Sequence, residues 1–113
     1  MRALACSLFL VLFAACGPDV GLGGNVVGGH CFNSGDCQYR CEVSGHYPDG
    51  LCTIPCANDA QCPAGTACID DSGGICAVLC TVVRSCAEFG SSYTCQNRDH
   101  KGSGGDVPVC RVP

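Results

Sequence analysis

Twelve regularly spaced cysteines constrain the fold of this 113-residue chain more than any other feature. They form three consecutive groups of four: Cys31, Cys37, Cys41, Cys52; Cys56, Cys62, Cys68, Cys76; and Cys80, Cys86, Cys95, Cys110. Five residues separate the first two cysteines of every group, and three residues separate each group from the next. This pattern predicts a disulfide-rich domain over residues 31-113, built from three tandem repeats at about 31-52, 56-76 and 80-110.

Large apolar side chains are scarce in the rest of the chain. After residue 15 the aromatic residues are Phe32, Tyr39, Tyr47, Phe89 and Tyr93, which cannot form a large core. Six disulfides at roughly 2 to 4 kcal/mol each are therefore expected to supply most of the stability. Such a fold needs an oxidising compartment.

Each repeat contains a turn-forming segment between its third and fourth cysteine. These segments are residues 48-50, 70-74 and 102-105, and all three are rich in Gly, Asp, Ser or Pro. Such residues favour tight turns, so we predict a short β-hairpin in every repeat, irregular structure elsewhere and little helix after residue 15.

The spacing leaves the disulfide pairing open, because four cysteines can pair in three ways. We favour alternate pairing, first with third and second with fourth, since it fastens each hairpin to the loop that precedes it. Pairing between neighbouring groups remains an alternative.

Residues 1-15 are predicted to be a signal peptide, because Arg2 precedes an uncharged, mostly apolar run from Ala3 to Ala15. The run is shorter than the roughly 20 residues of a membrane-spanning helix. It leads into Ala14-Ala15-Cys16-Gly17, which resembles the bacterial lipobox. The resemblance implies a lipid on Cys16 and, with Gly17 next to it, transport to the outer membrane of a Gram-negative bacterium.

Cysteine parity supports the same interpretation. Of the 14 cysteines, Cys6 lies in the leader, and lipid on Cys16 leaves an even number to form disulfides. The alternative is an ordinary secreted protein in which Cys16 is unpaired or bridges two chains.

Residues 16-30 are predicted to hold the lipidated cysteine and a flexible tether, because six of the residues from 17 to 29 are Gly. A coil of this length spans about 20 Å. The alternative is a glycine-rich edge strand that packs on the domain and buries Val20, Leu22, Val26 and Val27.

Several kinds of chemistry find no support in the sequence. The formal net charge is −4 and the basic residues are scattered, which disfavours nucleic acid as a partner. Spacings of three residues between Cys37 and Cys41, and at 52/56 and 76/80, fit zinc, but export favours disulfides. Asp70-Asp71 lacks the ladder of an EF-hand loop. We therefore expect no metal and no cofactor.

Catalysis is also not expected, since His30, His46 and His100 are not part of any recognisable catalytic motif. The loop between Cys95 and Cys110 is a better candidate for function. Its residues 98 to 101 carry both signs of charge on a covalently closed segment, so we predict a partner contact there; they are Arg98, Asp99, His100 and Lys101. The alternative is a tolerated polar insertion.

The cysteine groups resemble the Cys-rich repeats of lipoproteins from gliding soil bacteria, and their spacing is similar to the Dickkopf amino-terminal Cys-rich region. The resemblance covers residues 31-110 and implies a fold style. The leading hypothesis is a cell-envelope lipoprotein that is attached to the membrane through Cys16 and presents a non-catalytic binding or structural module to an envelope or extracellular protein. The alternative is a secreted inhibitor or ligand that acts through the Cys95-Cys110 loop.

Overall fold

The computed structural model describes residues 19-113, and in it each cysteine group forms one antiparallel β-hairpin. The strands are β1 (Arg40–Ser44) and β2 (Tyr47–Thr53), β3 (Thr66–Ile69) and β4 (Ile75–Val78), and β5 (Thr94–Asp99) and β6 (Asp106–Arg111). Short 3-10 turns precede the hairpins, at Ser34–Asp36, Asp59–Gln61, Cys80–Val82 and Cys86–Phe89. The predicted fold, a small disulfide-rich protein of three hairpin repeats, is confirmed.

Polar side chains cap the 3-10 turns of the loops. Asn33 Oδ1 accepts a hydrogen bond from Gly35 N at 2.9 Å, and Asn58 Oδ1 accepts one from Ala60 N at 2.9 Å. Ser85 Oγ accepts from Ala87 N in the third repeat. Asn and Ser favour such positions because their side chains replace the missing backbone acceptor.

All six disulfides follow the alternate pattern. Their Cα–Cα distances lie between 5.2 and 6.0 Å, within the usual range, and the pairs are Cys31–Cys41, Cys37–Cys52, Cys56–Cys68, Cys62–Cys76, Cys80–Cys95 and Cys86–Cys110. The third and fourth cysteines of each repeat lie opposite each other across the hairpin, yet each bonds to the preceding loop. Each hairpin is thus fastened twice to its own loop, as predicted.

Two of the three predicted turns connect strands as expected. Residues 70-74 join β3 to β4, and residues 100-105 join β5 to β6. The first prediction is wrong, because β1 and β2 turn at Gly45-His46 and residues 48-50 lie in β2. Gly50 has φ +78, and a Cβ there would overlap the Cys31 carbonyl oxygen, so this glycine serves close backbone approach.

Residues 19-30, which were predicted to be a flexible tether, are instead packed against the domain. Val27 is fully buried, Gly28 N donates to Cys52 O at 2.9 Å, and Cys52 N donates to Gly29 O at 2.8 Å. The segment therefore packs along β2 as the alternative proposed and buries Val26 and Val27, but it forms no strand within residues 19-30 and Leu22 is 41% exposed. A Cβ on Gly24 would lie 2.6 Å from Val27 O, so its glycines allow tight folding here.

One hydrophobic cluster runs through all three repeats. Its fully buried members include Val27, Ile69, Ile75 and Val109, with Tyr47 1% exposed. The three repeats therefore share one hydrophobic core and do not form separate domains. No helix within residues 19-113 has the length and apolar character of a membrane span.

Gly50→Ala tests the close approach of the β2 backbone to Cys31. The left-handed φ and the overlap with the Cys31 carbonyl should lower the free energy of unfolding of the oxidised protein by about 1 to 3 kcal/mol. Urea unfolding measures this change.

The matched control is Gly45→Ala in the β1–β2 turn, where a Cβ meets no atom within 4 Å. Its effect should stay within about 0.5 kcal/mol. Equal losses in the two variants would contradict the assignment.

Candidate binding surface

A buried carboxylate joins the three repeats. Asp71 is 8% exposed, and its Oδ1 accepts hydrogen bonds from Arg98 Nε at 3.2 Å and Arg98 Nη2 at 2.8 Å. Arg111 Nε lies 3.0 Å from Asp71 Oδ2 without hydrogen-bond alignment, so this contact is an ion pair. Tyr47 Oη donates to Asp71 Oδ2 at 3.3 Å. We call these four residues the Asp71 cluster.

Two proton-bearing side chains of the Asp71 cluster, Tyr47 and Arg98, have raised pKa values. Burial raises the pKa of the Tyr47 phenol above its usual range, and the charge of Asp71 raises it further. The hydrogen bond to Asp71 raises the pKa of the Arg98 guanidinium. Tyr47 therefore stays a neutral donor and Arg98 stays a cation at neutral pH, so both keep their contacts with the carboxylate.

A second contact joins the first two repeats. Glu42 is 8% exposed, and its Oε1 lies 2.6 Å from Arg40 Nη2. Its Oε2 accepts a hydrogen bond from Ser72 Oγ, in the β3–β4 turn beside Asp71. The turn of the second repeat is thus fixed from two sides.

The predicted contact residues of the third repeat are mostly engaged inside the protein. Arg98 binds Asp71, His100 Nε2 lies 2.6 Å from Asp59 Oδ2, and Lys101 Nζ lies 4.0 Å from Asp70 Oδ1. Asp99 accepts a bond from Asp70 N through its carbonyl, and its side chain remains exposed. The structure therefore places Arg98, His100 and Lys101 in contacts with the second repeat. A partner contact at residues 98 to 101 stays a prediction.

The histidines also link separate parts of the fold. His30 Nε2 lies 2.8 Å from Phe89 O and its Nδ1 lies 3.3 Å from Gly50 O, which connects the first and third repeats. His46 Nδ1 lies 2.9 Å from Val112 O. With His100 beside Asp59, every histidine of the chain faces a backbone carbonyl or a carboxylate of a distant segment.

The cysteine sulfurs come close together in each repeat, with three Sγ atoms within 4.8 Å of one another. Every one of these sulfurs belongs to a disulfide. A disulfide sulfur is not a thiolate, and metal binding by cysteine requires the thiolate. The spacings of three residues between cysteines therefore reflect crosslinks of the hairpins.

Charge on the described surface is one-sided. Each Lys and Arg within residues 19-113 has a carboxylate oxygen within 4.0 Å, in the pairs Arg40–Glu42, Arg84–Glu88, Arg98–Asp71, Lys101–Asp70 and Arg111–Asp71. Several other carboxylates in this part of the chain have no such partner: Asp19, Asp36, Asp49, Asp99 and Asp106. The unpaired side-chain charge of Lys, Arg, Asp and Glu within residues 19-113 is therefore negative.

The first repeat contains an open concavity of about 640 Å³. Its lining consists of His30, Cys31, Phe32, Asp36, Val43, Pro48, Asp49 and Gly50, and we call it the first-repeat groove. Phe32 is 94% exposed and Val43 is 60% exposed, so both present apolar surface to solvent. The groove is not predictable from the sequence, because a single Phe in a loop belongs to no recognisable pattern.

The walls of the first-repeat groove are held in place. Cys31 is bonded to Cys41 and its N–H donates to Asp49 O at 3.2 Å. Asp36 Oδ2 accepts from Phe32 N at 2.9 Å, and His30 lies against Gly50 O. A ligand would meet a preformed surface and lose little free energy to its ordering.

Comparison with protein-family models, with curated proteins and with solved structures finds no match. The similarity of the cysteine groups to bacterial Cys-rich repeats and to the Dickkopf region therefore stays a prediction. Function is inferred from the residues of this chain.

Asp71→Asn tests the role of the buried carboxylate. The change leaves Arg111, which is 4% exposed, without its counter-charge, and should lower the free energy of unfolding by about 3 kcal/mol. Asp70→Asn is the matched control, because the Asp70 side chain is 58% exposed and its loss should change stability by less than about 1 kcal/mol. Similar urea midpoints for the two variants would contradict the assignment.

Proposed function

We propose that this protein is a cell-envelope lipoprotein, anchored through Cys16, which presents a non-catalytic binding module at a membrane surface. The observation that carries the proposal is the complete pairing of the twelve cysteines from Cys31 to Cys110 with one another. No cysteine among residues 19-113 remains to pair with Cys16. The lipobox-like Ala14-Ala15-Cys16-Gly17 supplies a use for that thiol.

The disulfides also support export. Six crosslinks in 113 residues form and persist in an oxidising compartment. The residue after Cys16 is Gly17, and by resemblance to lipoprotein sorting rules we place the protein in the outer membrane of a Gram-negative bacterium. The residues 1-18 that carry the leader and the lipidation site lie outside the described part of the chain.

A binding role agrees with the arrangement of the described side chains. The first-repeat groove exposes Phe32 and Val43 on a rigid frame, whereas His30, His46 and His100 all lie in contacts between segments. Exposed aromatic residues in a preformed concavity are typical of recognition surfaces. An envelope or extracellular protein is the proposed partner.

Because residues 19-30 are packed, only a short connection separates Cys16 from the folded module. Residues from Asp19 onward belong to the fold, because Asp19 O accepts hydrogen bonds from Val26 N and Val27 N at 3.1 and 3.0 Å. Three residue steps separate Cys16 from Asp19, which reach at most about 11 Å. A lipid on Cys16 would therefore hold the module against the headgroups.

Intact mass spectrometry of the membrane-extracted protein tests the anchor and the pairing together. We expect a mass that begins at Cys16 and includes acyl chains, with twelve cysteines that react with a thiol reagent only after reduction. Cys16→Ser is the control, and it should appear without acyl mass in the soluble fraction. A wild-type protein without acyl mass would contradict the proposal.

Paramagnetic broadening by spin-labelled lipid headgroups tests the short connection to the membrane. In vesicles, the acylated protein should show strong broadening at the amides of Val20, Gly21 and Leu22, because they follow the anchor closely. An insertion of 20 Gly and Ser residues between Pro18 and Asp19, which adds a coil of about 25 Å, should weaken it. Absence of broadening in the acylated wild-type protein would contradict the prediction.

A further inference from the structure

From the first-repeat groove we infer that the protein binds an extended peptide segment in which Lys or Arg stands beside a bulky apolar residue. The inference names the partner chemistry of the proposed binding module and rests on that proposed function. It does not depend on the lipid, because the groove is formed by the first repeat and the segment before it.

The apolar part of the groove exposes large side-chain surfaces to solvent. Phe32, 94% exposed, and Val43, 60% exposed, line the same concavity as Pro48. Removal of a Phe side chain from water favours binding, because it withdraws apolar surface from the solvent. A ligand that places an aliphatic or aromatic side chain between Phe32 and Val43 would gain from both surfaces.

The charged part of the groove selects a cation. Asp36 uses Oδ2 to hold Phe32 N and Asn33 N, and its other oxygen has no partner within residues 19-113. The Asp49 carboxylate forms no ion pair there. Since all Lys and Arg side chains within residues 19-113 are paired with other carboxylates, this part of the chain has no unpaired Lys or Arg to offer these two. A guanidinium or ammonium group of a partner would complement them, and it also stacks well on an aromatic face such as Phe32.

The strand beside the groove suits an extended backbone. β2 is bordered on one side by β1 and on the other by Gly28 and Gly29, which bond to Cys52. The outer edge of β1, which includes Val43, has no strand partner among the described residues, and the Ser34 side chain accepts a hydrogen bond from Cys41 N of β1. A peptide strand can pair with such an edge while its side chains enter neighbouring pockets. The two carboxylates disfavour an anionic membrane or nucleic acid at this surface.

Fluorescence anisotropy with two labelled peptides tests the inference on the oxidised full chain with Cys16→Ser. The probe is acetyl-Gly-Leu-Arg-Phe-Arg-Gly, and the matched peptide has Glu in place of both Arg. We expect the Arg peptide to bind and the Glu peptide to bind at least tenfold more weakly. Binding of the Arg peptide should weaken as salt increases, because the Debye length shortens.

Matched variants locate the site. Phe32→Ser should weaken binding of the Arg peptide by about tenfold or more, and Asp49→Asn by about threefold with a smaller salt dependence. Tyr39→Ser and Asp106→Asn remove an exposed aromatic ring and an unpaired carboxylate that do not line the groove, and each should stay within about twofold of the parent. All four positions are exposed, so the variants should fold.

Three results would overturn the inference: equal binding of the two peptides, equal losses in the site and control variants, or no peptide binding together with sedimentation on phosphatidylcholine vesicles that Phe32→Ser abolishes. The last result would make the groove a membrane contact. Binding of the Arg peptide with the expected variants supports the inference even where mass spectrometry finds no lipid on Cys16, so the two proposals fail separately.

Discussion

The contact between Asp71 and its two arginines determines how the three repeats sit together. Every disulfide closes within one cysteine group, so no covalent crosslink joins one repeat to another. Arg98 and Arg111 approach Asp71 from the third repeat, and Tyr47 approaches it from the first. A buried charge without a partner is strongly destabilising. Packings of the repeats that separate Asp71 from Arg111 are therefore disfavoured. The disulfides stabilise each unit, and the Asp71 cluster with the shared apolar core sets their relative positions.

The shape of the first-repeat groove also depends on how the repeats pack together. His30, at the edge of the groove, reaches both Gly50 O in the first repeat and Phe89 O in the third. Tyr93 packs near the same imidazole, with ring centroids 6.3 Å apart, and burial followed by the charge of Asp49 raises its pKa to about 12. The groove wall formed by His30 and Asp49 is therefore supported by contacts with Phe89 and Tyr93 of the third repeat. A change that loosened the Asp71 cluster would also disturb the binding surface, although no residue of the cluster lines it.

The cysteine spacing predicted the local structure well and the relations between distant segments poorly. The hairpins and the turns at 70-74 and 102-105 follow from local spacing and turn chemistry. The spacing left three pairings open in each group, and alternate pairing was favoured because it fastens each hairpin to the preceding loop. The errors at 48-50 and 19-29 share one cause: Gly50 and Gly28 allow close backbone approach, and glycine in a sequence does not distinguish that role from a turn or a linker. Arg98 and His100 were assigned to a contact loop because their partners, Asp71 and Asp59, are 27 and 41 residues away.

The packed amino-terminal segment gives the module a different kind of presentation from that of a tethered domain. A long flexible tether would let a domain search a wide volume, whereas the proposed lipid on Cys16, three residues from the fold, would restrict both its height and its orientation. With that proposed anchor, restricted orientation would favour a partner that brings an accessible, extended segment to the groove. A β1 edge without a strand partner among residues 19-113, an uncovered Phe32 and unpaired carboxylates on Asp36 and Asp49 are suited to that kind of encounter. Rigid presentation and a linear cationic partner thus agree physically.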